Sequence, residues 1–433
     1  MALIISLLPA AAPVYADAII NVPDGYDGDW AYRNIKDGVA IIYTGSGTKV
    51  SLPSKVNGKE IISAEIGLST VTVVDVRKAS SLKELYIFNS KIKNIDITKN
   101  KKLETLHVEG PLTEIDISKN TKLKNLIIQS PKLKKLDMSK NKNLTMIQLL
   151  YVKLAELNVS ENTKLKVLVL YQMKQLSELD VSKNAGLKEL LVNNCAKING
   201  IDVSKNAKLQ ELDINDCSKI KSLDVSKNAK LAHLTVYNLS IKKLNVDKNT
   251  RLISLHMFKT MATSLDVSRN KKLEELFVYS NKKLKSVKLP AIKNLTQLSV
   301  WENPLISSLD VSKNTGLKML SAGSNNLASI DVSHNTALTK LIVYKNKLTK
   351  LDTSKNTELQ YLAFGYNKIK SMSIANNKKI THFSMEFNPG LSVDVAPALE
   401  TLQIVQYSPE DTAVNIETSG YDFAAKGTVF KNK

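Results

Sequence analysis

The sequence has few of the residues on which catalysis and metal binding usually depend. It contains five histidines and two cysteines among 433 residues. No HExxH motif, nucleophile elbow or phosphate-binding glycine loop is present. These absences predict that the protein is not an enzyme, that it has no catalytic residues and no metal site, and that it uses no cofactor. The histidines are dispersed, at His107, His233, His256, His334 and His382.

Long apolar runs are absent after residue 16. A transmembrane helix needs about 20 apolar residues, so no membrane span is predicted in the mature chain. Residues 1–16, MALIISLLPAAAPVYA, are apolar and end in the small residues Val14 and Ala16. This pattern is typical of a secretory signal peptide cut before Asp17, but the positively charged n-region is missing, so we expect the true start upstream of Met1. The predicted location is extracellular or at the cell surface, without an LPxTG sorting motif.

The chain has fewer acidic residues than basic ones. The chain has 61 Lys and Arg against 41 Asp and Glu, a formal net charge of +20 at pH 7. The lysines recur at regular intervals and do not cluster in a tail or a helix, which argues against nucleic-acid binding. Two interpretations stay open: a solvated surface, or attraction to an anionic cell-wall polymer or host glycan.

What the sequence does have is a repeat of about 21 residues, cleanest at 338–358. Its two halves, beginning at Leu338 and Leu348, follow the pattern LxxLxVxxN; we call them the inner half and the outer half. Apolar residues at the first, fourth and sixth places favour a short strand, and the Asn at the ninth place can bond backbone groups left free by a turn. One half cannot bury its apolar face alone, so the repeat predicts stacked copies, a solenoid.

The register of this repeat is kept along most of the chain. The residue after the second apolar position of each outer half is a convenient marker, and successive markers are 20, 21 or 22 residues apart. We therefore predict a mainly β repeat solenoid, with about fifteen rungs of 20–22 residues whose strands stack in parallel. The markers are Asp75, Asp96, Asp116, Asp137, Asn158, Asp180, Asp202, Asp224, Asn245, Asp266, Lys288, Asp310, Asp331, Asp352 and Ser373.

These residues resemble a bacterial class of leucine-rich repeat, the nested IRREKO type, in which halves of ten and eleven residues alternate and the second half carries LDxSxN. Here Leu338 to Leu348 is ten residues and Leu348 to Leu359 is eleven. The resemblance covers 71–391. It implies a leucine-rich repeat solenoid like that of the internalins and other bacterial surface proteins, in which one parallel sheet lines a binding face. It implies no particular ligand, because this architecture serves many functions.

Two segments of different composition flank the repeats. Residues 17–70 are richer in Gly, Asp and aromatics and contain hairpin signals such as Asp37-Gly38 and Asn57-Gly58. The stretch YTGSGTKVSLPSKVNGKEI within them resembles the lead-in of Gram-positive repeat surface proteins. Beyond Asn388 the repeat pattern frays. The predicted organisation is a signal peptide at 1–16, an N-terminal β cap at 17–70, the leucine-rich repeat solenoid at 71–391 and a C-terminal β cap at 392–433.

The outer half carries polar residues that stacking would place in columns. Like charges within one column repel, and the Asp column and the Lys column three residues further on offset this repulsion for each other. Exposed ion pairs add little stability, so we expect the columns to serve solubility and register more than stability. The Asp column lacks the GGxGxD turn of calcium-binding solenoids and has lysines beside it, so no calcium site is expected. The Asn that ends each outer half, from Asn100 to Asn377, predicts an amide ladder between the turns of adjacent rungs.

The two cysteines, Cys195 and Cys217, occupy the same ninth place in adjacent inner halves. Asn fills that place in later repeats, and Cys is a familiar substitute because the site is small and buried. Stacked rungs would bring the two Cα atoms to a separation that a disulfide tolerates, and an exported protein permits one. Free buried thiols and a disulfide both stay open.

The residues of the inner half that vary from rung to rung are the most informative about a binding site. Its second, third, fifth, seventh and eighth places are predicted to face solvent, and its seventh place is aromatic on four consecutive rungs. Exposed apolar patches mark interaction sites and aromatics anchor interfaces, although ring stacking that only stabilises the sheet is the alternative. The candidate ligand-binding residues are the aromatics Tyr171, Tyr237, Phe258, Tyr279, Trp301 and Tyr344 and the polar neighbours His233, His256, Lys259 and Glu302.

The predicted function is that of an exported cell-surface protein of a Gram-positive bacterium, which binds a protein or a glycan through its inner sheet. The alternative is a passive cell-wall component, held to anionic polymers by its positive charge and without a specific ligand. Nucleic acid is not expected as a partner.

Overall fold

The computed structural model describes residues 23–394 and three further strands at 404–407, 415–417 and 429–432. The predicted signal peptide at 1–16 lies outside the described residues, as does most of the predicted C-terminal cap. The limits given above for the caps stay predictions. The chain divides into two compact units, Met1–Glu189 and Leu190–Lys433.

The first unit begins with antiparallel strands and continues as a stack of parallel ones. β1, β2 and β3 pair antiparallel, and β3 then pairs parallel with β6. From β6 onward, β8, β9, β10, β11 and β12 follow one another in parallel register. The strands are β1 Gly25–Asp27, β2 Trp30–Ile35, β3 Gly38–Tyr43, β4 Lys49–Ser51, β5 Lys55–Val56, β6 Lys59–Ile66, β7 Val73–Asp75, β8 Glu84–Ile87, β9 Thr105–Glu109, β10 Asn125–Gln129, β11 Met146–Leu150 and β12 Val167–Tyr171.

The second unit repeats the parallel pattern. β13, Glu189–Asn193, begins at the division between the units. The later strands are β14 Glu211–Asn215, β15 His233–Tyr237, β16 Ser254–Phe258, β17 Ser264–Asp266, β18 Glu275–Tyr279, β19 Ser286–Lys288, β20 Gln297–Trp301, β21 Met319–Ser321, β22 Lys340–Ile342, β23 Tyr361–Ala363, β24 Ser371–Ser373, β25 His382–Ser384, β26 Ser392–Asp394, β27 Ile404–Tyr407, β28 Asn415–Glu417 and β29 Val429–Asn432.

One long set of these strands comes from the inner halves. β14, β15, β16, β18, β20, β21, β22, β23, β25, β27 and β29 pair in parallel in that order. The outer halves form only short parallel pairs, such as β17 with β19 and β24 with β26. The inner sheet is therefore the continuous surface of the unit, and it positions the candidate site.

The apolar places of the repeat form the core. Leu234 lies opposite Leu255 in the register of β15 and β16, and Leu255 and Val236 are fully buried. Alternating side chains of a strand point to opposite faces, so the fourth and sixth places of each inner half point inward together. The Asn of the ninth place ends the strand at a turn, which returns the chain to the next outer half.

The predicted fold class is confirmed. The protein is a mainly β leucine-rich repeat solenoid of about 17 turns with a spacing of about 21 residues, and its described residues contain no helix. The sequence predicts about fifteen rungs, and the additional turns arise at the ends. There β3 with β6, and β27 with β29, add parallel pairs outside 71–391. No helix within the described residues could span a bilayer.

The predicted amide ladder is also confirmed. The side-chain amide of Asn120 donates to the Ile97 carbonyl at 3.0 Å and to the Asn100 carbonyl at 2.9 Å, both in the preceding rung. Asn141 and later members of the column repeat this arrangement. Each carbonyl also accepts a backbone amide of its own rung, from Asn100 or Leu103, so the Asn side chain adds a second bond that ties the turns of adjacent rungs together.

The Asp column has a structural role that the sequence did not indicate. The Asp116 carboxylate accepts a hydrogen bond from the Ser118 backbone amide at 2.8 Å, and this bond lowers the pKa of Asp116. The same bond recurs at Asp202 and Asp224. Such a bond closes an Asx turn. The column therefore shapes each outer turn, in addition to any effect of its charge on solubility.

Candidate ligand-binding surface

Four aromatic side chains lie in register on the inner sheet of the second unit. Tyr237, Phe258, Tyr279 and Trp301 end β15, β16, β18 and β20, and each is paired with the next across the sheet. We call these four residues the aromatic row. The ring centroids of Tyr237 and Phe258 are 6.2 Å apart, and those of Phe258 and Tyr279 are 4.9 Å apart. All four side chains are half-buried.

Trp301 extends the aromatic surface beyond its own strand. A Cβ atom on Gly323, in the next rung, would lie 2.1 Å from Cζ3 of the Trp301 ring. The indole therefore lies across the space above Gly323 and stacks on Tyr344, with ring centroids 6.3 Å apart and planes 8° from parallel. Glycine at 323 is required by this close approach, because any side chain would displace the indole.

Two further aromatics continue this surface and were missed by the sequence analysis. Tyr366 lies 4.9 Å from Tyr344, and Phe387 lies 4.1 Å from Tyr366, both between ring centroids. They occupy the eighth place of the inner half, where φ is positive: 56° at Tyr366 and 53° at Phe387. Asn and Asp adopt this conformation more readily than bulky residues do. The signal in the sequence was the aromatic at a place that otherwise holds mainly polar residues.

The prediction that the fifth place faces solvent is wrong for most rungs. His107, Gln148 and Asp213 occupy it and are only 3%, 6% and 4% exposed. Parallel strands about 4.8 Å apart let the side chains of both neighbouring strands cover the middle of each strand. The half-buried Phe277 at this place was missed for the same reason, and it stacks on His256 with centroids 4.8 Å apart.

His256 belongs to a polar cluster at the border of the aromatic row. Its Nε2 lies 3.1 Å from Ser254 Oγ and 3.2 Å from Glu275 Oε2, and the Ser254 hydroxyl also donates to Glu275. The hydrogen bond with His256 lowers the pKa of Glu275. Ser and Glu contact the same ring nitrogen, whereas a catalytic relay needs them on opposite nitrogens. The cluster is therefore a charge-assisted pair.

The other predicted polar residues hold different positions around the row. Lys259 Nζ donates to the Tyr237 hydroxyl at 2.8 Å, which raises the pKa of Lys259, and lies 5.0 Å from the centre of that ring. Glu302 accepts a hydrogen bond from Ser280 Oγ at 2.6 Å. His233 is exposed and is paired with Ser254. These side chains form a polar border beside the rings.

One predicted residue is placed apart. Tyr171 ends β12 in the first unit, and its ring meets that of Tyr151 edge-on, with centroids 5.4 Å apart. It therefore forms an aromatic pair of its own within that unit. Tyr344, in contrast, joins the surface that Trp301 extends.

The two cysteines are buried thiols that are not joined by a disulfide. Cys195 Sγ lies 3.5 Å from the Asn193 carbonyl, and Cys217 Sγ lies 3.3 Å from the Asn215 carbonyl. A hydrogen bond with the Cys195 side chain, together with burial, raises the pKa of the Cys217 thiol. Cys217 therefore stays a thiol rather than a thiolate at neutral pH. Across the described ranges, no group of three or more His, Cys, Asp or Glu side chains could hold a metal ion.

Comparison with known proteins relates the chain to solved structures. Neither a family model nor a curated protein matches it. The functional domain of InlJ from Listeria monocytogenes, described as including a cysteine ladder, is 26% identical, with 72% of this chain and 70% of that chain covered and a TM-score of 0.59. The leucine-rich repeat protein LIC12759 of Leptospira interrogans is 18% identical, with 74% and 90% covered and a TM-score of 0.57. A TDR receptor is 16% identical, with 89% and 72% covered and a TM-score of 0.58.

These neighbours confirm the predicted resemblance at the level of the fold. They include internalin and other leucine-rich repeat proteins, and the period of about 21 residues agrees with an internalin-like leucine-rich repeat protein. A fold of this kind is a scaffold for protein interactions.

Proposed function

We propose that this internalin-like leucine-rich repeat protein is an exported cell-surface protein that binds a protein or a glycan through the aromatic row. The observation that carries the proposal is the register of Tyr237, Phe258, Tyr279 and Trp301 on four successive inner strands. Large aromatics in one contiguous patch are the usual anchors of an interface.

The border of the row supports the same proposal. Lys259 contacts the Tyr237 ring and His256 lies 5.8 Å from the Phe258 ring, between ring centroids. A polar rim around an apolar centre is the usual anatomy of a binding interface. Trp301 and Tyr344 extend the apolar centre across Gly323. Ring stacking also stabilises the sheet, so both effects act at these residues, and an experiment must separate them.

Export and surface location rest on the apolar leader at 1–16. Internalin-like neighbours are surface or secreted proteins, which agrees with this proposal. A Gram-positive source is proposed on the resemblance of the lead-in segment to that of other surface proteins.

The experiment screens the full chain and a Tyr279→Ser, Trp301→Ser variant on arrays of proteins and glycans. We expect the variant to keep its fold and to lose about 2 kcal/mol or more of binding free energy per anchor. Tyr26→Ser is the matched control, because Tyr26 is 69% exposed and belongs to β1 of the first unit. If the double variant melts many degrees lower yet binds as before, the rings are scaffolding and the assignment of the site is wrong.

A passive cell-wall component is the second candidate function. The charge of +20 and the Lys column of the outer halves favour it. Such a protein would be held to an anionic polymer by many weak contacts, and no single aromatic would matter for its retention.

A further inference from the structure

The inner sheet beside the aromatic row is acidic, although the chain as a whole has a net charge of +20. The relevant positions are the second to eighth places of five successive inner halves, 210–216, 232–238, 253–259, 274–280 and 296–302. Lys259 is the one Lys or Arg at these positions. The acidic residues are Glu211, Asp213, Asp216, Glu274, Glu275 and Glu302.

Asp213 is the unusual member of this group. Its neighbours on β14, Leu212 and Ile214, are fully buried in the core, so the alternation of the strand places the Asp213 side chain on the inner face. The Asp213 side chain is only 4% exposed, and its Oδ1 atom has no hydrogen-bond partner. A buried acceptor without a donor is costly and rare in native proteins.

Further unpartnered acceptors accompany it. The Oδ1 atoms of Asn193 and Asn215, at the seventh place of two successive inner halves, are buried and lack hydrogen-bond partners. The Asn194 amide donates to the Asn215 carbonyl at 2.9 Å, which places the end of β13 beside the end of β14. This part of the inner face thus holds three buried oxygen atoms without a donor, although the Asn215 side chain forms a hydrogen bond with the Asp213 carboxyl.

These acceptors adjoin the aromatic row directly. In the register of β14 and β15, Asn215 is paired with Tyr237, Asp213 with Thr235, and Glu211 with His233. A group that rests on the Tyr237 ring can therefore reach the acceptors on the neighbouring strand. Ring faces attract cations as well as apolar surface.

From this arrangement we infer that the ligand of the aromatic row is a basic protein segment, with a Lys or Arg side chain that pairs with Asp213 while its apolar part packs on the rings. The inference rests on the proposed function and names the chemistry of the partner. A guanidinium or ammonium group supplies only donors, which is what a face of unpartnered acceptors lacks. A sugar hydroxyl would also need donors from the protein, and an anionic polymer would be repelled.

Binding of a cation at Asp213 should release a proton. Burial, with a smaller contribution from Glu211, raises the pKa of Asp213 to about 8, so the free protein holds this carboxyl mainly protonated at pH 7. A bound cation favours the carboxylate. Affinity should therefore increase as the pH rises from 7 towards 8.5.

Other groups around Asp213 titrate and must be considered with it. Glu211 and Asp216 lie on or beside the same strand, and His233 and Tyr237 face it from β15. On β13, residues 190–193 carry no titratable side chain, and Glu189 begins that strand. The effect of Asp213 must be distinguished from that of these neighbours, so the test needs a variant that isolates the carboxyl.

The probe is an eight-residue peptide of alternating glycine and arginine, compared with the same peptide carrying citrulline, the neutral isostere of arginine. Calorimetry on the full chain, in buffers of different ionisation heat, measures both affinity and proton release. We expect the arginine peptide to bind at least tenfold more tightly than the citrulline peptide and to release a proton at pH 7. Asp213→Asn should weaken binding at least tenfold and abolish the proton release.

The matched control is Asp202→Asn. Asp202 is exposed in an outer turn, and Asn serves the same turn natively at Asn245, so this variant should bind as the parent does. Glu211→Gln is a second test in case Asp213→Asn alters folding, and it should weaken the arginine peptide severalfold. Thermal melting of each variant verifies the fold.

Three outcomes would overturn the inference. The arginine peptide could fail to bind, the citrulline peptide could bind as tightly, or Asp213→Asn could leave affinity and proton release unchanged. If a neutral oligosaccharide of N-acetylglucosamine binds instead, and Tyr279→Ser, Trp301→Ser weakens it, the proposed function stands and the basic partner is wrong. If ring variants affect no ligand found on the arrays, the proposed function itself falls.

Discussion

At the scale of single residues, Asp213 makes stability depend on pH in an uncommon direction. Its pKa is raised from 3.8 to about 8 by burial and by Glu211. Between these values the folded chain holds a proton that the unfolded chain has lost. The free energy of unfolding therefore falls as the pH rises through this window, whereas a carboxylate in a salt bridge gives the opposite slope.

Asp213→Asn should remove this dependence. We expect the variant to melt several degrees above the parent at pH 8.5 and to differ little from it near pH 4.5, because the cost of ionising a buried carboxyl is absent from the amide. Thermal denaturation across this range measures the difference, with Asp202→Asn as the exposed control. Equal melting temperatures at pH 8.5 would mean that Asp213 is solvated more than its burial indicates.

The aromatics at positive φ raise a related question at the same scale. The eighth place is held by Asn194, Asp216 and Asn238 on three successive rungs, and by Tyr366 and Phe387 on later ones. A bulky side chain in this conformation costs about 1 kcal/mol or more. Tyr366 is nevertheless 38% exposed, so burial alone does not offset the strain. The rings of Tyr344 and Phe387 pack on Tyr366, with centroids 4.9 Å and 4.1 Å away, and this contact contributes to offsetting the strain.

At the scale of the repeat element, the Asn ladder should dominate stability. The Asn228 side chain is fully buried and donates to the Val203 and Asn206 carbonyls, each at 3.0 Å. Asn228→Ala would remove these two hydrogen bonds between rungs, and each carbonyl would keep only its backbone donor, the amide of Asn206 or of Leu209. We expect the free energy of unfolding to fall by about 1–3 kcal/mol, since each of the two lost hydrogen bonds contributes about 0.5–1.5 kcal/mol.

The control for the ladder lies in the same rung. Asp224 accepts from the Ser226 amide at 2.8 Å, and Asp224→Asn keeps that acceptor, so chemical denaturation should show almost no change. If Asn228→Ala and Asp224→Asn unfold at the same denaturant concentration, the ladder contributes no more to stability than an exposed turn does.

The sequence predicts those features of the repeat element that recur with its period of about 21 residues. Leu234, Val236 and Asn249 follow the period, so the strands, the core and the ladder could all be predicted. The Asx turns were missed because Asp224 was interpreted by its charge, although an Asp side chain commonly accepts a hydrogen bond from the backbone amide two residues later. The burial of Asp213 and the reach of Trp301 over Gly323 could not be predicted, since both depend on side chains of neighbouring rungs rather than on the repeat.

At the scale of the whole molecule, charge is divided between the two faces of the repeat. Lysines recur on the outer halves, at Lys99, Lys119, Lys140, Lys183, Lys205, Lys227, Lys313 and Lys355, whereas the inner halves from 210 to 302 are acidic apart from Lys259. This division assigns the two candidate functions to different surfaces. A polyanion should meet the outer halves, and the ligand of the aromatic row should meet the inner sheet.

Salt should separate these two modes of binding. We expect the full chain to bind immobilised polyphosphate at low salt and to be released well below 1 M, because exposed charges are screened over about 3 Å at that ionic strength. The Tyr279→Ser, Trp301→Ser variant should elute with the parent, since its lysines are unchanged. A ligand seated on the rings, with its cation beside the buried Asp213, should stay bound through most of the same gradient. Earlier elution of the ring variant from polyphosphate would place the polymer on the inner sheet and contradict the separation of the two surfaces.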